Sequence, residues 1–369
     1  MSKASEQLLA GPRGRRLCWE LAERGEPDPR EWAWVTKWDP SPEHVRIALQ
    51  ELRRLDAPAL AADVGAVMLA LLEAVDSAWY WQSPHEIDGL LARPEFRAAL
   101  TPLAEALTQA PALAWWRRPL AADHQRYVQF LADRSDDPPS LHGAAAALAR
   151  WRSDALDTEA GYRRSLRFRR PPTSGEWWST PIVSPLVHTS GPAPGLDALG
   201  LEAVEDGFGQ EWARLWPLAV EDEARIYELA GPEDWVRLVR TYPLELTASK
   251  GPDWQTITGT SGRWFVPDWP DVAADHDGVH LSVTGYLATN GRALEVGDGH
   301  TVLAGWDPDE TWWLNDVLHQ DGDPRLWSRD AQDRFTWALQ SGQDGTGVRS
   351  PTAPEEPADV RRKRWPWSW

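Results

Sequence analysis

The sequence predicts an α+β fold in three parts: a helical N-terminal bundle over residues 1–155, a tryptophan-rich mixed α/β domain with a mainly antiparallel sheet over 156–340, and a polar tail over 341–369. Two observations carry that division. Through the first half, apolar residues recur at three- and four-residue spacing behind helix-start signals. From about residue 155, short β-like runs alternate with Pro and Gly breaks, with only occasional helical stretches between them. A length of 369 residues suits two domains at roughly 100–200 residues each.

The elements follow in order. Leu8 to Glu23 carries Leu9, Leu17, Leu21 and Ala22 at helical positions, and Trp32, Trp34 and Trp38 follow in a loop-like stretch. Ser41-Pro42-Glu43 combines an N-cap serine, a proline at the first helical position and an acid in the first turn, so a helix runs to about Leu55. Leu60 to Trp81 reads as one long helix, and Ser83-Pro84-His85-Glu86 starts another with a capping-box glutamate. Helices are expected over Pro94–Gln109, Ala121–Ala132 and Ser140–Arg152. Strands are expected at Ser165–Arg169, Trp177–Thr180, Leu215–Val220, Ala224–Leu229, Val279–Val283, Val302–Trp306 and Thr311–Leu314. Short helices are expected after Gly231-Pro232-Glu233 and after Pro267-Asp268.

Composition narrows the function classes. The net charge is −18, which repels nucleic-acid phosphates, so no nucleic-acid partner is expected. Cys18 is the one cysteine, so no intrachain disulfide and no cysteine-rich zinc site can form; a cytoplasmic location fits. No apolar run is long enough for a transmembrane helix, and no secretory signal is visible at the N-terminus. Arginine, alanine and proline are abundant, while lysine occurs only at 3, 37, 250 and 363, a bias that resembles a GC-rich, actinobacterial-like genome. The 25 tryptophans imply packed aromatic clusters or an aromatic-lined cleft.

Common catalytic motifs are absent. There is no Gly-x-Ser-x-Gly elbow, no P-loop and no Gly-x-Gly-x-x-Gly. No metal is expected: Asp275-His276-Asp277 and His280 have an i,i+4 imidazole pair, but Gly278 breaks the helix between them. The chain ends in Arg361-Arg362-Lys363-Arg364 followed by Trp365, Trp367 and Trp369, a basic aromatic motif suited to a protein partner, an anionic surface or a modifying enzyme.

One ordered set points to chemistry. Leu166-Arg167-Phe168-Arg169 is followed by Glu176-Trp177-Trp178-Ser179-Thr180-Pro181, and much later by Trp306-Asp307-Pro308-Asp309-Glu310-Thr311-Trp312. This order, over about residues 160–320, resembles small bacterial ADP-ribosyltransferase-like domains. The resemblance implies NAD as cofactor, with Arg167 on its phosphates, Trp177, Trp178 and Thr180 in the cofactor site, Ser179 positioning the glutamate, and Glu310 acting on the ribose. Pro181 replaces the third residue of the family's Ser-Thr-Ser triplet, and Pro308 stands two before Glu310, where that family often carries a target-selecting Glu or Gln. Glu228 and Glu295 are rival glutamates.

Two further readings stay open. The chain could be a non-catalytic interaction, immunity or regulatory protein using its acidic surface and tail. It could also be a biosynthetic enzyme taking a small molecule in an aromatic cleft, or a substrate whose tryptophan-rich C-terminal peptide is modified.

Overall fold

A computed structural model describes residues 1–25, 41–131, 138–165, 173–207, 209–329 and 336–340. Trp32, Trp34, Trp38, Arg167, Arg169 and the Trp365, Trp367 and Trp369 motif lie outside these residues. The fold is α+β, with helices packed against a mostly antiparallel sheet. No helix among the described residues is long and apolar enough to cross a membrane.

The N-terminal helices are α1 (Lys3–Ala10), α2 (Pro12–Arg24), α3 (Pro42–Leu52), α4 (Ala57–Ala62), α5 (Val64–Asp76), α6 (Glu86–Leu91) and α7 (Pro94–Gln109). The Ser41 hydroxyl caps α3 by accepting from the His44 amide at 3.2 Å, as its motif predicts. The expected single helix over Leu8–Glu23 is broken by extended Gly11, after which Pro12 starts α2. Leu60–Trp81 is also two helices: Asp63 ends α4 and caps α5 through the Ala66 amide at 3.0 Å. The capping atom of α6 is the His85 ring nitrogen rather than a serine oxygen.

The helix expected over Ala121–Ala132 is instead β1 (Gln125–Phe130). Tyr127, Val128 and Phe130 favour an extended chain, and β3 (Trp212–Val220) supplies six paired positions, Gln125 opposite Leu218 through Phe130 opposite Ala213. Helix α8 (Ala144–Ser165) starts and ends later than the expected Ser140–Arg152, and its start is capped by Asp316, remote in sequence, which accepts from the Gly143 and Ala144 amides at 2.9 and 3.0 Å.

The remaining elements are β2 (His188–Ser190), β4 (Ile226–Leu229), α9 (Pro232–Thr241), β5 (Pro243–Glu245), α10 (Thr247–Thr258), β6 (Phe265–Pro267), α11 (Trp269–Asp275), β7 (Gly278–Leu281), α12 (Val283–Thr289), β8 (Leu294–Val296), β9 (Gly299–Thr301), β10 (Glu310–Trp313), β11 (Leu318–Gln320), β12 (Arg325–Ser328) and β13 (Ala338–Leu339). The main sheet runs β13-β12-β3-β1-β2-β10-β7-β4, with β11 also on β3. All its pairs are antiparallel except β4 with β7, whose connection contains α9 to α11. Trp177–Thr180 and Val302–Trp306 do not form the expected strands. Helix α10, which begins after an N-cap Leu246 with no polar side chain, is capped from α8. The buried Glu159 carboxylate accepts from the Ala248 and Ser249 amides at 2.9 and 2.8 Å. Glu159→Ala leaves both amides unpartnered and is expected to lower stability by about 2 kcal/mol, measured by urea denaturation.

The boundary expected near residue 155 does not separate two cores. One buried cluster joins Leu9, Leu17, Leu71 and Phe96 of the helices to Trp235, Trp269, Val279, Leu281 and Trp306 of the sheet half. β1 places the N-terminal half inside the sheet itself. Trp235, Trp269 and Trp306 pack as a triangle with centroids 5.8 to 6.4 Å apart. Each indole N–H finds an acceptor, respectively the Thr301 hydroxyl, the Ser179 carbonyl and the Glu310 carbonyl. These three tryptophans therefore serve the core and, through two of these bonds, fix the backbone of the candidate site.

Candidate functional site: an acid and imidazole cluster on the 304–310 loop

The loop from Ala304 to Glu310 is tied down from several sides. The Ser179 hydroxyl donates to the Ala304 carbonyl and accepts from the Ala304 amide, both at 3.1 Å, and the Ser179 amide also donates to that carbonyl. The Thr180 hydroxyl donates to the Gly305 carbonyl at 3.0 Å. Gly305 has φ +72° and a Cβ there would lie 2.8 Å from the Trp178 Cβ, so both conformation and space require glycine. Its amide donates to Glu205 at 3.0 Å.

Three acids converge on this loop. Glu205 Oε1 accepts from the Tyr286 hydroxyl at 3.0 Å and the Asn290 amide at 2.5 Å. The Asp307 carboxylate accepts from the Glu205 backbone amide at 2.8 Å. Glu310 Oε2 accepts from the Asp307 amide at 3.1 Å, and Glu310 Oε1 lies 2.5 Å from His188 Nδ1. The His188 ring stacks on Trp312 at 4.8 Å. Its side chain is 40% exposed, against 8% for Glu310, so the imidazole is the solvent-facing member of the pair.

The electrostatics separate these groups. Burial followed by the Asp307 charge holds Glu205 well above the usual carboxylate range. Burial followed by the Glu310 charge does the same to Asp307. Burial alone would lower His188, but the adjoining Glu310 carboxylate overcomes it and the net direction is up. Burial and mutual repulsion thus favour the protonated forms of Glu205 and Asp307, while Glu310 favours the charged form of His188, so the groups of the cluster are pushed apart in proton affinity.

Among the residues singled out in the sequence, Ser179, Thr180 and Glu310 meet at this loop. Ser179 does not touch Glu310: its hydroxyl closes a backbone bridge to Ala304, so it holds the glutamate only through the loop. Trp177 and Trp178 pack edge to face at 5.1 Å, and Trp177 lies against Tyr80 at 6.0 Å. Their carbonyls accept from the Trp254 indole at 2.6 Å and the Lys250 ammonium at 2.8 Å. The two tryptophans are thus held by their backbone carbonyls, with both side chains half-buried. Arg167 lies outside the described residues, as does the C-terminal motif. His188 and Glu205 were missed because no motif marks them; only Asp307, inside the Trp-Asp-Pro-Asp-Glu string, carried a signal.

A second acid and imidazole group lies nearby. His280 Nδ1 is 2.6 Å from Glu228 and Nε2 is 3.3 Å from Asp309, with Arg118 3.7 Å from Asp309. His280 is only 1% exposed, so this group joins β4, β7 and the 304–310 loop inside the fold. The rival Glu228 is spent here. Among the described residues, no group of three or more His, Cys, Asp or Glu side chains is arranged to hold a metal ion. Asp277 is engaged by Arg225 and Asn315, the Arg225 bond first among the causes that hold it down at about 2.

No protein-family model, curated protein or solved structure matches this chain.

Proposed function

We propose that the chain is a small-molecule enzyme whose Glu310 carboxylate, paired with His188 in the free protein, carries the chemistry, and that its substrate is NAD, used for ADP-ribosyl transfer in the bacterial cytoplasm. The observation that carries the reading is a buried carboxylate 2.5 Å from a half-exposed imidazole, on a loop that also brings Glu205 and Asp307 together. In such a transfer the bond between ribose C1′ and the nicotinamide nitrogen breaks, and its electron pair leaves with nicotinamide. Positive charge then builds on the ribose, where the Glu310 carboxylate offsets it once the ligand displaces His188. The acceptor adds at C1′ and passes its proton to Glu310. Fixed hydrogen bonds to the loop keep the carboxylate from rotating away.

The test is nicotinamide release from NAD by the full chain, with Glu310→Gln and His188→Gln alongside and circular dichroism as a check on folding. Wild type is expected to release nicotinamide, and Glu310→Gln to lose about 10²–10³ of that rate. No NAD binding at millimolar concentration, or unchanged turnover in Glu310→Gln, would overturn the reading.

A further inference from the structure

A cleft of about 530 Å³ opens between the α1–α2 junction, α6 and the turn after α12, a size that suits a small organic ligand. It shares no lining residue with the His188–Glu310 pair. Its charged lining comprises Arg13, Arg15, Arg292 and Asp88, with His85 at the edge. Asp88 is already taken: it accepts from Arg13 at 2.9 Å, and Arg16 lies 3.9 Å from its other oxygen. Arg13, 3% exposed, also donates to the Ser77 hydroxyl and the Ala74 carbonyl.

Arg15 and Arg292 are differently placed. Arg15 donates to the Leu9 and Ala10 carbonyls at 3.0 and 2.9 Å, and its Nε has no partner. Arg292 donates to the Ala288 carbonyl at 2.8 Å. Among the described residues, neither forms an ion pair with a carboxylate. Burial, followed by the neighbouring Arg97, pushes Arg15 down to about 10 against the pull of Asp88, and burial lowers Arg292 although the next largest influence, Glu233, pulls it up. In a chain of net charge −18, two half-buried guanidiniums with no carboxylate in contact run against desolvation, and the more distant charges of Asp88 and Glu233 do not make up for it at Arg15 and Arg292. A bound anion would supply the missing charge. Two guanidinium forks suit the several oxygens of a phosphate better than a single carboxylate. Beside them stands Trp79, half-buried and edge-on to His85 at 6.5 Å, a wall for a flat ring.

We infer that this cleft binds a phosphorylated small molecule of mononucleotide size, with its phosphate between Arg15 and Arg292 and its ring against Trp79. The test is calorimetry and thermal shift on the full chain with AMP, adenosine, ribose 5-phosphate and inorganic phosphate. AMP is expected to bind saturably and raise Tm, adenosine to do neither, and the two ringless phosphates to bind about tenfold more weakly or worse. Arg15→Gln and Arg292→Gln are each expected to weaken AMP by about tenfold or more. Should Arg15→Gln fail to fold for want of its carbonyl bonds, Arg292→Gln alone decides. No AMP binding at millimolar concentration, equal shifts from adenosine, ringless phosphates as tight as AMP, or wild-type affinity in the folded variants would each overturn the inference. AMP binding without NAD turnover would leave the cleft standing and remove only the reading of Glu310.

Discussion

Gly11→Ala is expected to destabilise the protein by about 3 kcal/mol, with the urea midpoint falling accordingly. The cause is space and not backbone conformation, since Gly11 sits at φ −74°, open to any residue. A Cβ there would lie 2.0 Å from the Leu287 carbonyl oxygen and 3.0 Å from its carbon. Those are backbone atoms of α12, which cannot swing aside as a side chain does. Relief requires the α1–α2 junction to move off α12, opening the core that both halves share. Gly89→Ala is the matched control. It lies within α6, an added Cβ meets nothing within 4 Å, and alanine is the better helix former, so a gain of up to about 1 kcal/mol is expected. A Gly11→Ala midpoint equal to wild type would mean that the two halves do not pack this closely.

The second large effect is His280→Ala, with an expected loss of about 3–5 kcal/mol, because Asp309, only 4% exposed, is left without its imidazolium. The effect depends on pH. Burial alone would lower His280, but its bonds to Asp309 and Glu228 carry it up from 6.5 to about 9. A folded-state value above the unfolded one favours the native state most below pH 6.5, and that contribution fades as pH rises through about 9. Lys250 opposes it. Burial lowers that ammonium from 10.5 to about 8, so its penalty is relieved as pH rises from about 8 to 10.5, overlapping the upper end of the His280 range. The informative quantity is therefore the wild-type minus His280→Ala difference in unfolding free energy, measured at pH 6 and pH 9.5. It is expected to shrink by up to about 3 kcal/mol. A difference independent of pH would show that folding does not shift the titration of His280 and that its role is packing.

The sequence by itself determined the elements whose signals are local. The Ser41-Pro42 start of α3, the span of α7 and the apolar face of α9 were legible because caps and periodicity act within a turn or two of the residues that carry them. The α+β class and the strand at Thr311 followed from the same kind of evidence. Other features were decided only in three dimensions. β1 became a strand because β3 offers six backbone partners, and pairing outweighs a weak local preference. α8 and α10 begin where Asp316 and Glu159 reach them from elsewhere in the chain, and no window of neighbouring residues contains those caps. The candidate site divides along the same line. Glu310 stood out in its motif, whereas His188 joined it through β2–β10 pairing, and Glu205 through hydrogen bonds to Tyr286, Asn290 and Gly305. Arg15 and Arg292, far apart in sequence, line one cleft only because α12 packs against α2. Charge, desolvation and capping depend on distance in space, and sequence order carries little of that information.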